Sequence, residues 1–356
     1  MLKNKGDMHV GIIGCGAVAS KGHIPAYRAL KNVKIKAIAD IDQGKLNNLS
    51  KKYNIKEKYT DYTELLKDPE IDLVSICAPN FLHAKMIIDA LSQDKFVIVE
   101  KPLCISLKEA KEIYTYCKNN GKDISVIRDL RYLNAIQYLL RLIYTGKIGQ
   151  LKSLYFMFHY PIPMEWTSSK WYFDKSKSGG GVLADVGEHY LDLLVSIAGK
   201  VEALSAFKNC HQSSPDIDFS MGATLKFENN CIGFLDLSWE GASYEQKISI
   251  FGTGKTIQID LWADFLIEYS SKLNFLAEIS NSMKKASSII YKGINRYIFN
   301  PLPILISKQI QNILYSLKNS KKIPGNIEES YYIAKIKHLI YESASNNKVK
   351  LVNEEK

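Results

Sequence analysis

Along the first third of the chain, short apolar runs alternate with amphipathic stretches. MHVGIIG, VKIKAIAD, IDLVSICAP and KFVIVEK are rich in Val and Ile, and each reads as a strand buried on both faces. Between them SKGHIPAYRALKN, QGKLNNLSKKY and HAKMIIDALSQD place apolar residues at helical spacing. Strand and helix in this rhythm predict a parallel sheet with helices on both faces, a doubly wound α/β domain over residues 1–125.

The texture changes after Ser125. A helix predicted over Asn134–Thr145 leads into LKSLYFMFHYPI, MGATLKFENN, CIGFLDLSWEG, QKISIFGTG and KTIQIDLWA, several of them alternating and separated by Asn-Asn, Gly and Thr-Gly turn signals. They predict a second, α+β domain over 126–356 with a mainly antiparallel open sheet. Acidic residues ahead of apolar ones at helical spacing predict a helix over 326–346.

Composition narrows the class. At 356 residues with 46% hydrophobic and 24% charged residues the chain is an ordinary globular protein, long enough for two domains. No apolar run reaches the ~18 residues a membrane-spanning helix needs. The segment MLKNKGDMHVGIIG passes from two lysines straight into a strand with no small-residue cleavage site, so a cytoplasmic location is expected. The six cysteines include no C-x-x-C pair, which argues against a zinc ribbon and for reduced thiols.

Four motifs carry chemistry. The first strand runs into Gly14-Cys15-Gly16-Ala17-Val18-Ala19, a turn whose amides, through Ala17 and Val18, can approach a pyrophosphate at a helix N-terminus. The second strand ends in Ala39-Asp40, where a carboxylate accepts from an adenosine ribose; no arginine follows to receive a 2′-phosphate, which favours NAD over NADP. A third motif, Glu100-Lys101-Pro102, closes the run FVIV at the end of a parallel strand, where such sheets bind ligands. The fourth is Gly179-Gly180-Gly181 with Asp185, Gly187, His189 and Asp192. Its glycines let backbone lie close against a ligand or another chain. Asp185 and His189, four apart on a helix, share a face, and a carboxylate beside an imidazole sets its tautomer and basicity. A metal site there lacks a second histidine and is not expected.

Taken in order, and with Ala78-Pro79-Asn80 and His83 between the second and third motifs, these features resemble the Gfo/Idh/MocA oxidoreductases, the glucose–fructose oxidoreductase and inositol dehydrogenase group. The resemblance covers about residues 8–262 and resumes at about 323–346. It implies a Rossmann domain, a C-terminal domain whose open sheet often joins subunits, a nicotinamide cofactor, and a sugar, polyol or nucleotide-linked sugar as substrate. It also implies Lys101, Asp185 and His189 as catalytic residues and Asn80, His83 and Glu100 along the cofactor. Substrate contact is expected of Arg131, Trp171, Lys101 and His189. Two departures stand out: Asn134 where the family usually has proline, and Ala19 as the third small residue of the turn.

The chemistry implied is hydride transfer between a secondary alcohol carbon and the nicotinamide, which requires a base within reach of the hydroxyl proton. Either His189, oriented by Asp185, takes the proton while Lys101 stabilises the oxygen, or the two exchange roles. A catalytically idle NAD-binding regulator on the same scaffold is the alternative.

The formal charge of +10 is local. Between 270 and 323 nine lysines and arginines, from Lys272 to Lys322, face one acid, Glu278, amid apolar clusters such as Leu302, Ile304, Leu305 and Ile306. The stretch 263–323 reads as an insertion that either packs on the second domain or across a homo-oligomer interface, or rests on an anionic membrane surface. Nucleic-acid binding is not expected, since neither a helix-turn-helix nor an aromatic stacking pattern accompanies the charge.

Overall fold

The computed structural model describes residues 7–162, 170–211, 214–242, 244–270, 280–283 and 301–352. By packing, the chain divides into two units, Met1–Asp129 with Asn300–Ala334, and Leu130–Phe299 with Lys335–Lys356.

The first unit is built on six parallel strands, β1 (Met8–Ile13), β2 (Val33–Ala39), β3 (Glu57–Tyr59), β4 (Leu73–Ile76), β5 (Phe96–Val99) and β6 (Ile124–Val126), in the order β3-β2-β1-β4-β5-β6. Strands buried on both faces need two apolar sides, and the Val/Ile runs supply them. Ile13, Ala39, Ile76 and Val99 pack on one side, with the helices His83–Ser92 and Leu107–Asn119. Ile12, Ile38, Leu73 and Ile98 pack on the other. Strand order reverses between β1 and β4, so the crevice for a ligand opens at their carboxyl ends.

One expectation about the insertion is corrected here. Residues 302–318 belong to this first unit, not to the second domain. Leu302–Lys318 is a helix whose apolar stripe, Ile306, Ile310 and Ile313, lies in the same core as Ile24 and Tyr27. Gln309, fully buried, accepts from the Arg128 amide at 2.8 Å and donates to the Val126 carbonyl at 2.9 Å. It thereby satisfies backbone groups around β6 at the sheet edge. The cluster Leu302, Ile304, Leu305 and Ile306 is therefore largely covered by protein, Ile304 alone of the four being exposed, while the other apolar clusters of the stretch lie outside the described residues. Among the described residues no helix is long and apolar enough to cross a membrane. Lys272, Lys284, Lys285, Lys292 and Arg296 lie outside the described residues.

The second unit carries an eight-stranded sheet: β7 (Leu151–His159), β8 (Val201–His211), β9 (Ser214–Phe227), β10 (Ile232–Ser238), β11 (Glu245–Gly252), β12 (Lys255–Asp260), β13 (Phe265–Ser270) and β14 (Lys350–Leu351), in the order β13-β12-β11-β7-β10-β9-β8-β14. It is antiparallel apart from β7 beside β10, which run parallel. The helix Glu188–Ala198 covers one face, with Tyr190 edge-on to Phe156 and Phe158. On the opposite face Tyr155 and Phe234, paired in register, stack at 4.4 Å, and Phe251 meets Tyr155 edge-on. Asn134, at the family's proline position, opens the helix Asn134–Tyr144. Its amide and side chain both donate to Asp264, as does the Ala135 amide. A proline there would forfeit two of these three bonds.

Candidate active site

In the first unit the candidate residues gather at the carboxyl ends of the strands. Gly14 leaves β1 with φ +96°, and a Cβ on it would lie 2.4 Å from the Cys77 carbonyl oxygen, so the protein's own backbone demands glycine. Gly16 differs: a Cβ there would meet nothing within 4 Å, so its bareness serves the space beside the turn. Ala17 and Val18 line that space exposed, Val18 at 39%. Asp40 follows β2, and its carboxylate accepts from the Cys15 amide at 2.6 Å and the Asp42 amide at 2.8 Å. It is fixed beside the glycine turn with lone pairs left for ribose hydroxyls. A glycine turn at a helix start, an open flank and an anchored carboxylate fit a dinucleotide.

Asn80 begins a single 3₁₀ turn, Asn80–Leu82, and is half-buried there. His83, expected along the cofactor, is held between two backbone carbonyls. It is fully buried, with Nδ1 2.8 Å from the Pro102 carbonyl and Nε2 2.9 Å from the Ala78 carbonyl. The ring thus ties the Ala78-Pro79-Asn80 turn to the loop after β5, and burial holds its pKa below the usual histidine range. Glu100 and Lys101 follow β5 directly, both half-buried, and a cis peptide joins Lys101 to Pro102. Sequence reasoning passed over His23. Its Nδ1 lies 2.7 Å from Ser75 Oγ and its Nε2 2.7 Å from Glu100 Oε1.

The remaining motif residues belong to the second unit. The glycine run turns into a wide π-helical segment, Leu183–Gly187, that continues as the α-helix Glu188–Ala198. Two of the glycines are required by other parts of the chain: a Cβ on Gly181 would sit 1.9 Å from the Asp218 carbonyl oxygen, and one on Gly180 2.0 Å from the Tyr341 hydroxyl. Asp218, missed in the sequence, caps this segment. Its carboxylate accepts from the amides of Gly181 at 2.6 Å and Leu183 at 2.9 Å and from Tyr341 at 2.9 Å. Burial raises its pKa despite these bonds. Nothing local in the sequence pointed to it, because its partners lie on other elements.

Asp185 accepts a hydrogen bond from the buried Tyr172 phenol, whose pKa is raised by burial and then by that carboxylate. His189 follows on the first turn of the α-helix, half-buried, and Glu188 beside it pairs with Lys337 at 2.7 Å. Arg131 directs Nε and Nη2 at the two oxygens of Asp192, at 2.6 and 2.7 Å. Much of the guanidinium expected on substrate is thus committed to the motif's last aspartate. Trp171 sits half-buried, edge-on to Tyr172 at 5.7 Å, at one end of an aromatic group with Phe173, Phe219 and Trp239. Among the described residues no group of three His, Cys, Asp or Glu side chains could hold a metal ion.

A parallel sheet with a dinucleotide turn, joined in sequence to an open-sheet domain, defines the two-domain nicotinamide oxidoreductases as a class. Comparison with known proteins narrows this. Residues 8–127 match the profile described as an oxidoreductase family with an NAD-binding Rossmann fold, and residues 136–258 match the GFO/IDH/MocA C-terminal domain. Together they span more than half of the chain, which belongs to the Gfo/Idh/MocA oxidoreductases. An uncharacterised oxidoreductase of Bacillus subtilis, YrbE, is 28% identical over 268 residues, 73% of this chain and 76% of its own. The myo-inositol 2-dehydrogenase of Thermotoga maritima is 24% identical over 260 residues, 71% of this chain and 75% of its own. A levoglucosan dehydrogenase structure with NADH and levoglucosan shares the fold at a TM-score of 0.84 and 20% identity, over 98% of this chain and all of its own. The chain is an NAD-dependent oxidoreductase.

Proposed function

We propose that this enzyme transfers a hydride between NAD and a secondary alcohol or ketone of a sugar, polyol or nucleotide-linked sugar. The observation that carries the reading is Lys101, placed directly at the carboxyl end of β5 in an NAD-binding sheet. NAD supplies the hydride acceptor or donor. Gly14, Gly16, Ala17 and Val18 receive its pyrophosphate, and Asp40 its adenosine ribose, with Asn80 and Glu100 beyond. Lys101 and His189 attend the reacting hydroxyl, one taking its proton and the other stabilising its oxygen. Asp185, four residues ahead of His189 and bonded by the Tyr172 phenol, is the carboxylate assigned to orient the imidazole. Arg131 and Trp171 flank the substrate, Arg131 with what its pairing to Asp192 leaves. NADH fluorescence titration followed by a screen of UDP-sugars, inositols and free hexoses tests this. Saturable NADH binding with turnover of at least one sugar-like compound supports it; binding with no turnover across the panel makes the protein an idle regulator.

A homo-oligomer formed through the open sheet face is part of this reading. Tyr155, Phe207, Ile232 and Phe251 are large apolar side chains exposed in one copy, and isolated chains rarely leave such a group in water. Tyr155→Lys should convert the oligomer to a monomer by light scattering; an unchanged mass overturns this part. The six cysteines, none of them in a disulfide, support a reducing, cytoplasmic setting.

A further inference from the structure

The nucleotide-binding unit holds a fully buried imidazole that cofactor binding does not account for. His23 ends the π-helical turn Ala19–His23, whose extra residue brings the side chain inward ahead of the helix Ile24–Arg28. Its ring reaches from Ser75 on β4 to Glu100 just past β5, at 2.7 Å on each side. The second oxygen of Glu100 accepts from the Lys101 amide at 3.2 Å. The carboxylate is thus held at both oxygens, by the imidazole and by the backbone of the residue read as catalytic.

The groups facing the ring decide its charge. Ser75 Oγ can accept a hydrogen bond and so can the Glu100 carboxylate, so an imidazolium satisfies both with one donor each. Cys77 and the Tyr27 ring, 6.3 Å away, are the other titratable neighbours. The helix Leu302–Lys318 packs on the same turn, with the apolar Leu302 and Ile306 nearest Gly22. Burial opposes the charge, yet Cys77 and Glu100 outweigh it and push the pKa up to about 10.

We propose that His23 is a positioning residue: as a buried cation it neutralises and orients Glu100, and through Glu100 it sets the field and the backbone placement of Lys101. Without it, Glu100 loses its cationic partner and its negative charge acts more strongly on the adjacent lysine, favouring the ammonium over the free amine. The inference rests on the proposed function only in assigning Lys101 to catalysis, and its test reads Lys101 directly.

The experiment is trace labelling of the full-length protein with acetic anhydride at about pH 8, with Lys101 scored by mass spectrometry against the exposed Lys108. His23→Phe should lower the relative reactivity of Lys101 about threefold or more, and Glu100→Gln should raise it. The double variant should match Glu100→Gln alone, because His23 acts through Glu100. His23→Gln, which keeps a donor and drops the charge, should move in the same direction as His23→Phe if the larger change prevents folding. On a sugar the enzyme turns over, kcat should fall about tenfold with NADH affinity within about threefold of wild type. Unchanged Lys101 reactivity in a folded His23 variant overturns the inference, as does a double variant clearly below Glu100→Gln. Shifted reactivity with no sugar turned over sustains it while the proposed function fails. Sustained turnover with unshifted reactivity does the reverse.

Discussion

Arg131 grips Asp192 with two nitrogens on its two oxygens, and the aspartate is only 2% exposed. This fork ties the segment at the start of the second unit to the helix Glu188–Ala198. Removing one partner of a pair this buried leaves an uncompensated charge, so Arg131→Leu should cost ~3–5 kcal/mol of stability, read by urea unfolding. A loss under ~1 kcal/mol would show that the pair is solvent-screened instead.

Gly14 and Gly16 separate folding from binding. Gly14→Ala forces a side chain at φ +96° against the Cys77 carbonyl and should lower the melting temperature by several degrees. Gly16→Val meets no protein atom, so it should leave the melting temperature unchanged and weaken NADH binding about tenfold or more. Equal effects of the two on melting would contradict this division.

Stability should fall with alkaline pH through His23. Its folded pKa is raised to about 10 from the ordinary 6.5, so its contribution is fully present below about 6.5 and lost as pH rises through about 10. The change is at most ~5 kcal/mol, and His23→Phe should flatten it. Unfolding free energies measured from about pH 6 to 10 that show the same slope in both proteins would contradict the assignment.

The helix Leu302–Lys318 should behave as core. Ile310 is fully buried among Ile12, Ile24 and Tyr27, and Ile310→Ala should cost ~2–5 kcal/mol. A neutral effect in thermal or urea unfolding would return this face to solvent or to another surface.

Local patterns showed most of the first unit. The runs around Ile12, Ile38, Leu73 and Ile98 announce strands buried on both faces, and the sheet follows from their order. β3 and β6, with three residues each, are too short to show an apolar period. The basic, apolar stretch misled because its destination is non-local: Gln309 finds the backbone near β6 more than 180 positions earlier. For the same reason the glycine run suggested a ligand, whereas its tightness answers Asp218 and Tyr341. The motif residues themselves were legible, since each chemistry needs a particular side chain. Their bracing by His23, His83, Tyr172 and Asp218 was not, because a brace is defined only by what it touches.

In the proposed function Lys101 and His189 serve one reacting hydroxyl. The direct measurement is steady-state turnover and NADH affinity of Lys101→Met and His189→Ala on the best sugar substrate. The account predicts kcat lower by about a hundredfold or more in each, with NADH affinity within about threefold of wild type. Near-normal kcat in either variant, or NADH binding lost in step with activity, would contradict it.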